Sequence, residues 1–218
     1  MNNSVIQLLV LAGVAVFLIL KLRAALGTRD GYEGPTAVAP TRPGNIGAAD
    51  VVESGPDRDI TDHVPAGSDT AQALAAMKLV EPGFSVGGFL QGARGAYEMI
   101  LEGFAKGDIA GLRPFLSPEV AESFEAVIRD RTEKGLIVTT DVQGVRELAL
   151  DAAEFNRTTS EAEVTVHFVA ELITATRDAA GTVVDGDAKR ARRQKDVWTF
   201  GRTMGANDPN WQLVATGT

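Results

Sequence analysis

The sequence predicts an α+β fold, in which amphipathic helices pack on one face of an antiparallel sheet. Three observations lead to that class. Two stretches between residues 84 and 131 place apolar side chains at helical spacing. The chain after residue 135 contains short segments in which apolar and polar residues alternate, as in strands with one buried face. The helical segments come first and the strands follow, an order typical of α+β domains.

The first element is an apolar stretch, Val5–Leu20, in which Gln7 is the only strongly polar residue. As a helix it measures about 24 Å, and the residues up to position 26 extend it to the ~30 Å of a hydrocarbon core. A cleaved signal peptide is the alternative, but it needs basic residues before the apolar core. Here Lys21 and Arg23 follow the core instead. We therefore predict a transmembrane anchor over residues 1–26, and the positive-inside rule places the following chain in the cytoplasm of a bacterial inner membrane.

Residues 27–70 are rich in Gly and Pro and show no lasting periodicity, which predicts a disordered tether. Residues 71–83 contain a short helical segment with Ala73, Leu74 and Met77 on one side, ended by Pro82. This segment has two interpretations: it docks on the folded domain, or it contacts a membrane surface or a partner.

The main domain is predicted over residues 84–218 and begins with two helices. Ser85 is the expected N-cap of the first helix and Gly107 its end. Ser117 and Pro118 are expected to start the second. The apolar residues of the first helix are Phe89, Leu90, Ala93, Tyr97, Ile100, Leu101 and Phe104, and those of the second are Val120, Phe124, Val127 and Ile128. Both stripes need a partner surface, which the strands supply.

The strands are expected at residues 136–140, 142–150, 163–175, 195–203 and 211–215. The third has the clearest alternation, with Val164, Val166 and Phe168 on one face. Residues 177–188 contain the Asp and Gly combinations typical of turns.

The surface charge contains one strong contrast. The chain carries a net charge of −8, yet five cations lie within seven residues: Lys189, Arg190, Arg192, Arg193 and Lys195. Such a run is either a solvated strand edge or a contact for an anionic partner. The candidates are anionic lipid headgroups, ribosomal RNA and an acidic protein. The acidic composition argues against DNA.

Nothing in the sequence indicates catalysis. The chain has no Cys and only two His, one in the predicted tether (His63) and one on a predicted strand (His167). It contains no phosphate-binding loop, zinc-binding His motif or nucleophile elbow. We therefore predict no enzymatic activity, no catalytic residues, no metal site and no cofactor.

Several sequence blocks resemble one known family. The strings F-L-x-G-A-R-x-A-Y-E, F-A-x-G-D and L-R-P-F-L-S in the helical part, and D-V-W-T-F-G-R and D-P-N-W-Q-L-V-A-T near the end, occur here in order. They resemble the C-terminal domain of the mitochondrial import-motor adaptor, the forty-four-kilodalton subunit of the inner-membrane translocase, and its bacterial relatives. The resemblance covers residues 84–218.

The resemblance implies a cone-shaped domain like that of nuclear transport factors, with a curved sheet wrapped over its helices. A cone of this kind often encloses an apolar cavity, for which Tyr97, Phe104, Phe168 and Trp198 are the expected lining residues. It also implies a partner in the translocation machinery or a DnaK-type chaperone.

These observations predict a membrane-anchored adaptor for protein translocation or membrane-protein biogenesis. Two alternatives stay open. One is a module that binds a lipid or another hydrophobic ligand, and the other is an anchor that holds ribosomes at the membrane.

Overall fold

The structure is a computed structural model, and it describes residues 57–217. Its helices come first in the chain. They are α1 (Arg58–Thr61), α2 (Asp69–Val80), α3 (Val86–Lys106), α4 (Ile109–Leu112), a 3₁₀ turn (Arg113–Phe115) and α5 (Pro118–Glu133). Within residues 57–217, no helix is long and apolar enough to span a membrane. The anchor predicted over residues 1–26 lies outside the described residues.

Both main helices begin at their predicted capping residues, and α3 also ends at its predicted residue. The Ser85 hydroxyl accepts a hydrogen bond from the Gly88 amide (2.9 Å) at the start of α3, and Ser117 caps α5 directly before Pro118. Helix α3 ends at Gly107, whose φ of +79° is easily adopted only by glycine.

Helix α2 docks on the folded domain, as one of its two interpretations proposed. Its Leu74 and Met77 side chains are completely buried and belong to the same apolar core as the α3 stripe. Ser68 caps this helix through the Ala71 amide. The residues between 71 and 83 therefore form part of the domain core.

The predicted tether extends too far toward the C-terminus. Residues 57–70, assigned to it above, contain α1 and the start of α2, and Ile60 and Val64 are buried in the core. The sequence pattern did not show this because the segment has too few apolar residues to form a period. Residues 27–56 lie outside the described part of the chain.

Two acidic residues fasten this N-terminal segment to the rest of the domain. Asp59 accepts hydrogen bonds from the Val86 and Gly87 amides (2.8 and 3.1 Å) at the start of α3. Glu81 accepts from the Gly205 amide (3.1 Å) and pairs with the largely buried Arg202. The segment is thus held by polar contacts at both ends and by apolar packing between them.

The sheet is antiparallel and contains five strands, with the order β1-β2-β4-β5 and with β3 paired to β2. The strands are β1 (Ile137–Phe155), β2 (Glu161–Arg177), β3 (Val183–Gly186), β4 (Arg192–Thr203) and β5 (Gln212–Gly217). The two strands predicted at 136–140 and 142–150 are one continuous strand, and β3 lies in the region predicted as turns.

Strand β1 is bent by irregularities in its pairing with β2. The register shifts at three places, between Val142 and Gly144, between Val145 and Glu147, and between Leu150 and Ala152. Each shift adds a residue on one side, which bends the strand and increases its twist. The resulting curved sheet covers the helices on one face, and the α+β class with helices on a curved antiparallel sheet is confirmed.

The core lies between α3 and the inner face of the sheet. Val164, Val166 and Phe168 on β2 are fully buried there, as their alternation predicted. The end of α3 is closed by the buried Arg131 of α5, whose guanidinium donates to the carbonyl oxygens of Phe104 (2.6 Å) and Ala105 (2.9 Å). A cation at this position also offsets the negative end of the helix dipole.

Candidate functional site

Three of the four residues predicted to line a cavity lie together in the core. The Tyr97 ring stacks on Phe168 with a centroid distance of 4.4 Å, and Trp198 lies 4.7 Å from Tyr97 and 5.8 Å from Phe168. All three are buried. Rings in such contact fill the space between α3 and the sheet, so the geometry at this place favours a packed core over a ligand cavity.

The fourth residue, Phe104, lies apart from these three near the end of α3. Its ring is 4.6 Å from that of Phe124 on α5, and the Arg131 guanidinium lies over it at 5.1 Å. Phe104 therefore packs α3 against α5.

The aromatic cluster contains a buried carboxylate that the sequence interpretation missed. The Tyr97 hydroxyl donates to Asp196 Oδ2 (2.6 Å), and Gln194 Nε2 donates to both Asp196 oxygens (3.0 and 2.9 Å). The sequence contains a signal for this carboxylate, because Asp196 lies two residues after Gln194 and two before Trp198 on β4. Residues at that spacing share one face of a strand, here the inner face.

Burial has the largest effect on the pKa of the Asp196 carboxyl. It raises the pKa of the Asp196 carboxyl above its ordinary value, against the opposing effect of the hydrogen bonds from Tyr97 and Gln194. Burial and the neighbouring Asp196 charge also raise the pKa of Tyr97, which keeps the phenol protonated as a donor. Asp196 is buried and its carboxylate oxygens accept hydrogen bonds from Tyr97 and Gln194, so we assign the pair a structural role.

The predicted basic run lies on the surface at the start of β4. Lys189 and Arg190 precede the strand, and Arg192, Arg193 and Lys195 belong to it, all five being exposed. Only Arg193 has an acidic partner within residues 57–217, since it pairs with Glu147 across the outer face of the sheet. The structure thus brings together four cations that have no acidic partner in the described part of the chain, and we call them the basic edge: Lys189, Arg190, Arg192 and Lys195.

The two histidines do not form a catalytic arrangement. His63 is exposed after α1, in the folded segment and not in the tether as predicted. His167 lies on the outer face of β2, with Nδ1 3.9 Å from an Asp151 carboxylate oxygen. Among residues 57–217, no group of three or more His, Asp or Glu side chains is arranged to hold a metal ion.

Comparison with known proteins identifies the family. The family model described as "Tim44-like domain" matches residues 70–218, whereas no curated protein sequence matches the chain significantly.

Among solved structures, the chain is similar to the intermembrane space region of the chloroplast protein ARC6. The identity is 11%, the match covers 59% of this chain and 94% of that one, and the TM-score is 0.41, too distant a likeness for conclusions about function. The family model, by contrast, spans more than half of the chain and begins at α2. This protein therefore belongs to the Tim44-like domain family, whose general role is that of an adaptor in protein translocation.

Proposed function

We propose that this protein is a membrane-anchored adaptor that docks a partner protein at the inner membrane during protein translocation or membrane-protein biogenesis. The basic edge is the observation that carries the proposal. Its four cations are exposed and lack acidic partners within residues 57–217, although the whole chain has a net charge of −8. A concentrated positive surface on an acidic protein selects an anionic partner and accelerates its association.

The other features of the domain support a scaffold. Three of the four aromatic residues expected to line a cavity contact one another instead, and the buried carboxylate accepts three hydrogen bonds within the core. The family is non-catalytic, in agreement with this interpretation. The partner belongs either to the translocation machinery or to a DnaK-type chaperone system.

Photo-cross-linking in intact membranes tests this function. Ala191 is exposed between Arg190 and Arg192, so a photoreactive amino acid at this position leaves every cation in place. We expect adducts with a component of a translocation or chaperone system. These adducts should disappear when Arg190, Arg192 and Lys195 are changed to Ser.

Ala126 provides the matched control, because it is an exposed alanine on α5, outside the basic edge. The same protein adducts from Ala126 and Ala191 would indicate non-specific proximity and contradict the proposal. Adducts with lipid alone would indicate that the basic edge contacts anionic headgroups and not a protein. Adducts with ribosomal components would favour the ribosome anchor.

A further inference from the structure

The basic edge coincides with an open edge of the sheet. On one side, β4 pairs with β2 along its whole length, from Arg192 opposite Leu172 to Thr203 opposite Glu161. On the other side, β5 pairs only with Val197–Gly201. Within residues 57–217, therefore, no strand pairs with the outer edge of residues 192–195.

Strand β3 continues this edge. Because β1 occupies the opposite edge of β2, β3 and β4 lie one after the other along the same side of β2. Strand β3 pairs with no other strand among the described residues. The open edge thus comprises residues 183–186 and 192–195, and the loop between them carries Lys189 and Arg190. Backbone N–H and C=O groups along such an edge are available to another chain.

The side chains on this edge present both charge and apolar surface. Successive residues of a strand point to opposite faces, so Lys195 lies on the outer face of β4 and Arg192 toward the inner rim. On β3, Val183 and Val184 are 42% and 54% exposed. Charged residues on a strand edge protect a protein against aggregation, whereas exposed valines beside unpaired backbone groups promote pairing with another chain. The valines therefore argue against an edge whose only role is to prevent aggregation.

We propose that this open edge binds an extended acidic segment of a partner protein by β-strand addition. The segment would lie antiparallel to β4, on the path that continues β5 beyond Gly217. Its backbone would pair with residues 192–195 and its carboxylates would contact the basic edge, while apolar residues would meet Val183 and Val184. The inference rests on the proposed adaptor function and specifies the chemistry of the partner.

A synthetic octapeptide of alternating Glu and Val, capped at both ends, tests the inference by titration against the full-length chain in non-ionic detergent. The comparison peptide has the same sequence with alternate amides N-methylated, which keeps its charge but removes the hydrogen-bond donors facing the edge. We expect the methylated peptide to bind at least tenfold more weakly. Hydrogen exchange should slow at residues 183–186 and 192–195 when the unmodified peptide is bound.

Charge reversal provides the second measurement. The double variant R192E/K195E should weaken binding of the unmodified peptide at least tenfold. The control R129E/R157E makes the same charge change at two exposed cations outside the edge and should alter binding less than twofold. Circular dichroism of both variants verifies that they fold.

Equal binding of the two peptides, or equal weakening by the two double variants, would overturn strand addition. Binding to vesicles rich in phosphatidylglycerol without binding to the peptide would also overturn it, in favour of a lipid surface. The two proposals fail separately. Protein adducts from Ala191 without peptide binding would remove only the strand-addition inference, and peptide binding without such adducts would remove only the adaptor function.

Discussion

Asp196 is a buried acid whose hydrogen-bond partners are a phenol and an amide. The residue is 5% exposed, and no cation among residues 57–217 donates to its carboxylate. A buried carboxylate without a counter-ion costs stability when it ionises, because the protein interior solvates a charge less well than water does. The hydrogen bonds from Tyr97 and Gln194 reduce this cost, and they fix the orientation of Tyr97 between Phe168 and Trp198.

The raised pKa of Asp196 predicts how stability depends on pH. In the folded state the carboxyl holds its proton to higher pH than in the unfolded state, where its pKa is about 3.9. The folded state therefore binds more protons between the two pKa values, and the contribution of Asp196 to the unfolding free energy decreases as pH rises from about 4 through the folded pKa.

The variant Asp196→Asn removes this titration while keeping a polar group of the same shape. We compare the unfolding free energy of this variant with that of the parent protein by urea denaturation at several pH values. The variant's value minus the parent's should increase as the pH rises from about 4 through the folded pKa of Asp196. A difference that does not change with pH would show that Asp196 titrates equally in both states. Asp141→Asn, at an exposed position on β1, serves as the control.

At the level of elements, helix α2 and the segment before it belong to the domain. Leu74 and Met77 are fully buried, and Lys78 links Asp57 and Asp59, each at 2.7 Å. The domain predicted from Phe84 onward thus lacks part of its own core, and the contacts of Asp59 with α3 and of Glu81 with Arg202 would be lost with the segment.

Truncation tests the role of this segment. A fragment of residues 57–218 should unfold cooperatively, whereas a fragment of residues 84–218 should be less stable by several kcal/mol, since removing one buried Leu or Met side chain already costs about 2–5 kcal/mol. The measurement is thermal unfolding followed by circular dichroism. Equal midpoints for the two fragments would show that α1 and α2 are only peripheral, and Leu74→Ala in the longer fragment should reproduce part of the loss.

On the scale of the whole molecule, the described chain begins far from the basic edge. Asp57 lies beside α2, close to the start of α3, and Phe89 near that start contacts Phe200 on β4. From Phe200 to Arg192 the strand extends about 26 Å. In the proposed arrangement, the chain from the anchor reaches one end of the domain while the basic edge is presented toward the other, away from the point of attachment.

The proposed topology predicts the location of the domain. With Lys21 and Arg23 following the apolar stretch, the C-terminal domain should lie in the cytoplasm. A C-terminal alkaline phosphatase fusion should be inactive, and a C-terminal green fluorescent protein fusion should fluoresce. High phosphatase activity would contradict the topology and place the basic edge out of reach of a cytoplasmic chaperone.

Features that depend on residues close together in the chain could be predicted before the fold was known. Helical spacing and the Ser85, Gly107 and Ser117 caps predicted α3 and α5, and alternation predicted the inner face of β2, because these signals arise within one or two turns or along one strand. The family resemblance likewise came from contiguous blocks. The presence of a basic run was also visible, since the five cations are close in sequence.

Features that depend on residues far apart in the chain became visible only in the folded structure. The bulges that make β1 one bent strand are set by its pairing with β2, and the place of α1 and α2 in the core depends on contacts such as that of Asp59 with Val86. Within residues 57–217, the open edge at residues 192–195 depends on which part of β4 pairs with β5. Local periodicity contains no information on such long-range pairings, because the free energy that fixes them comes from surfaces that meet only when the chain is folded.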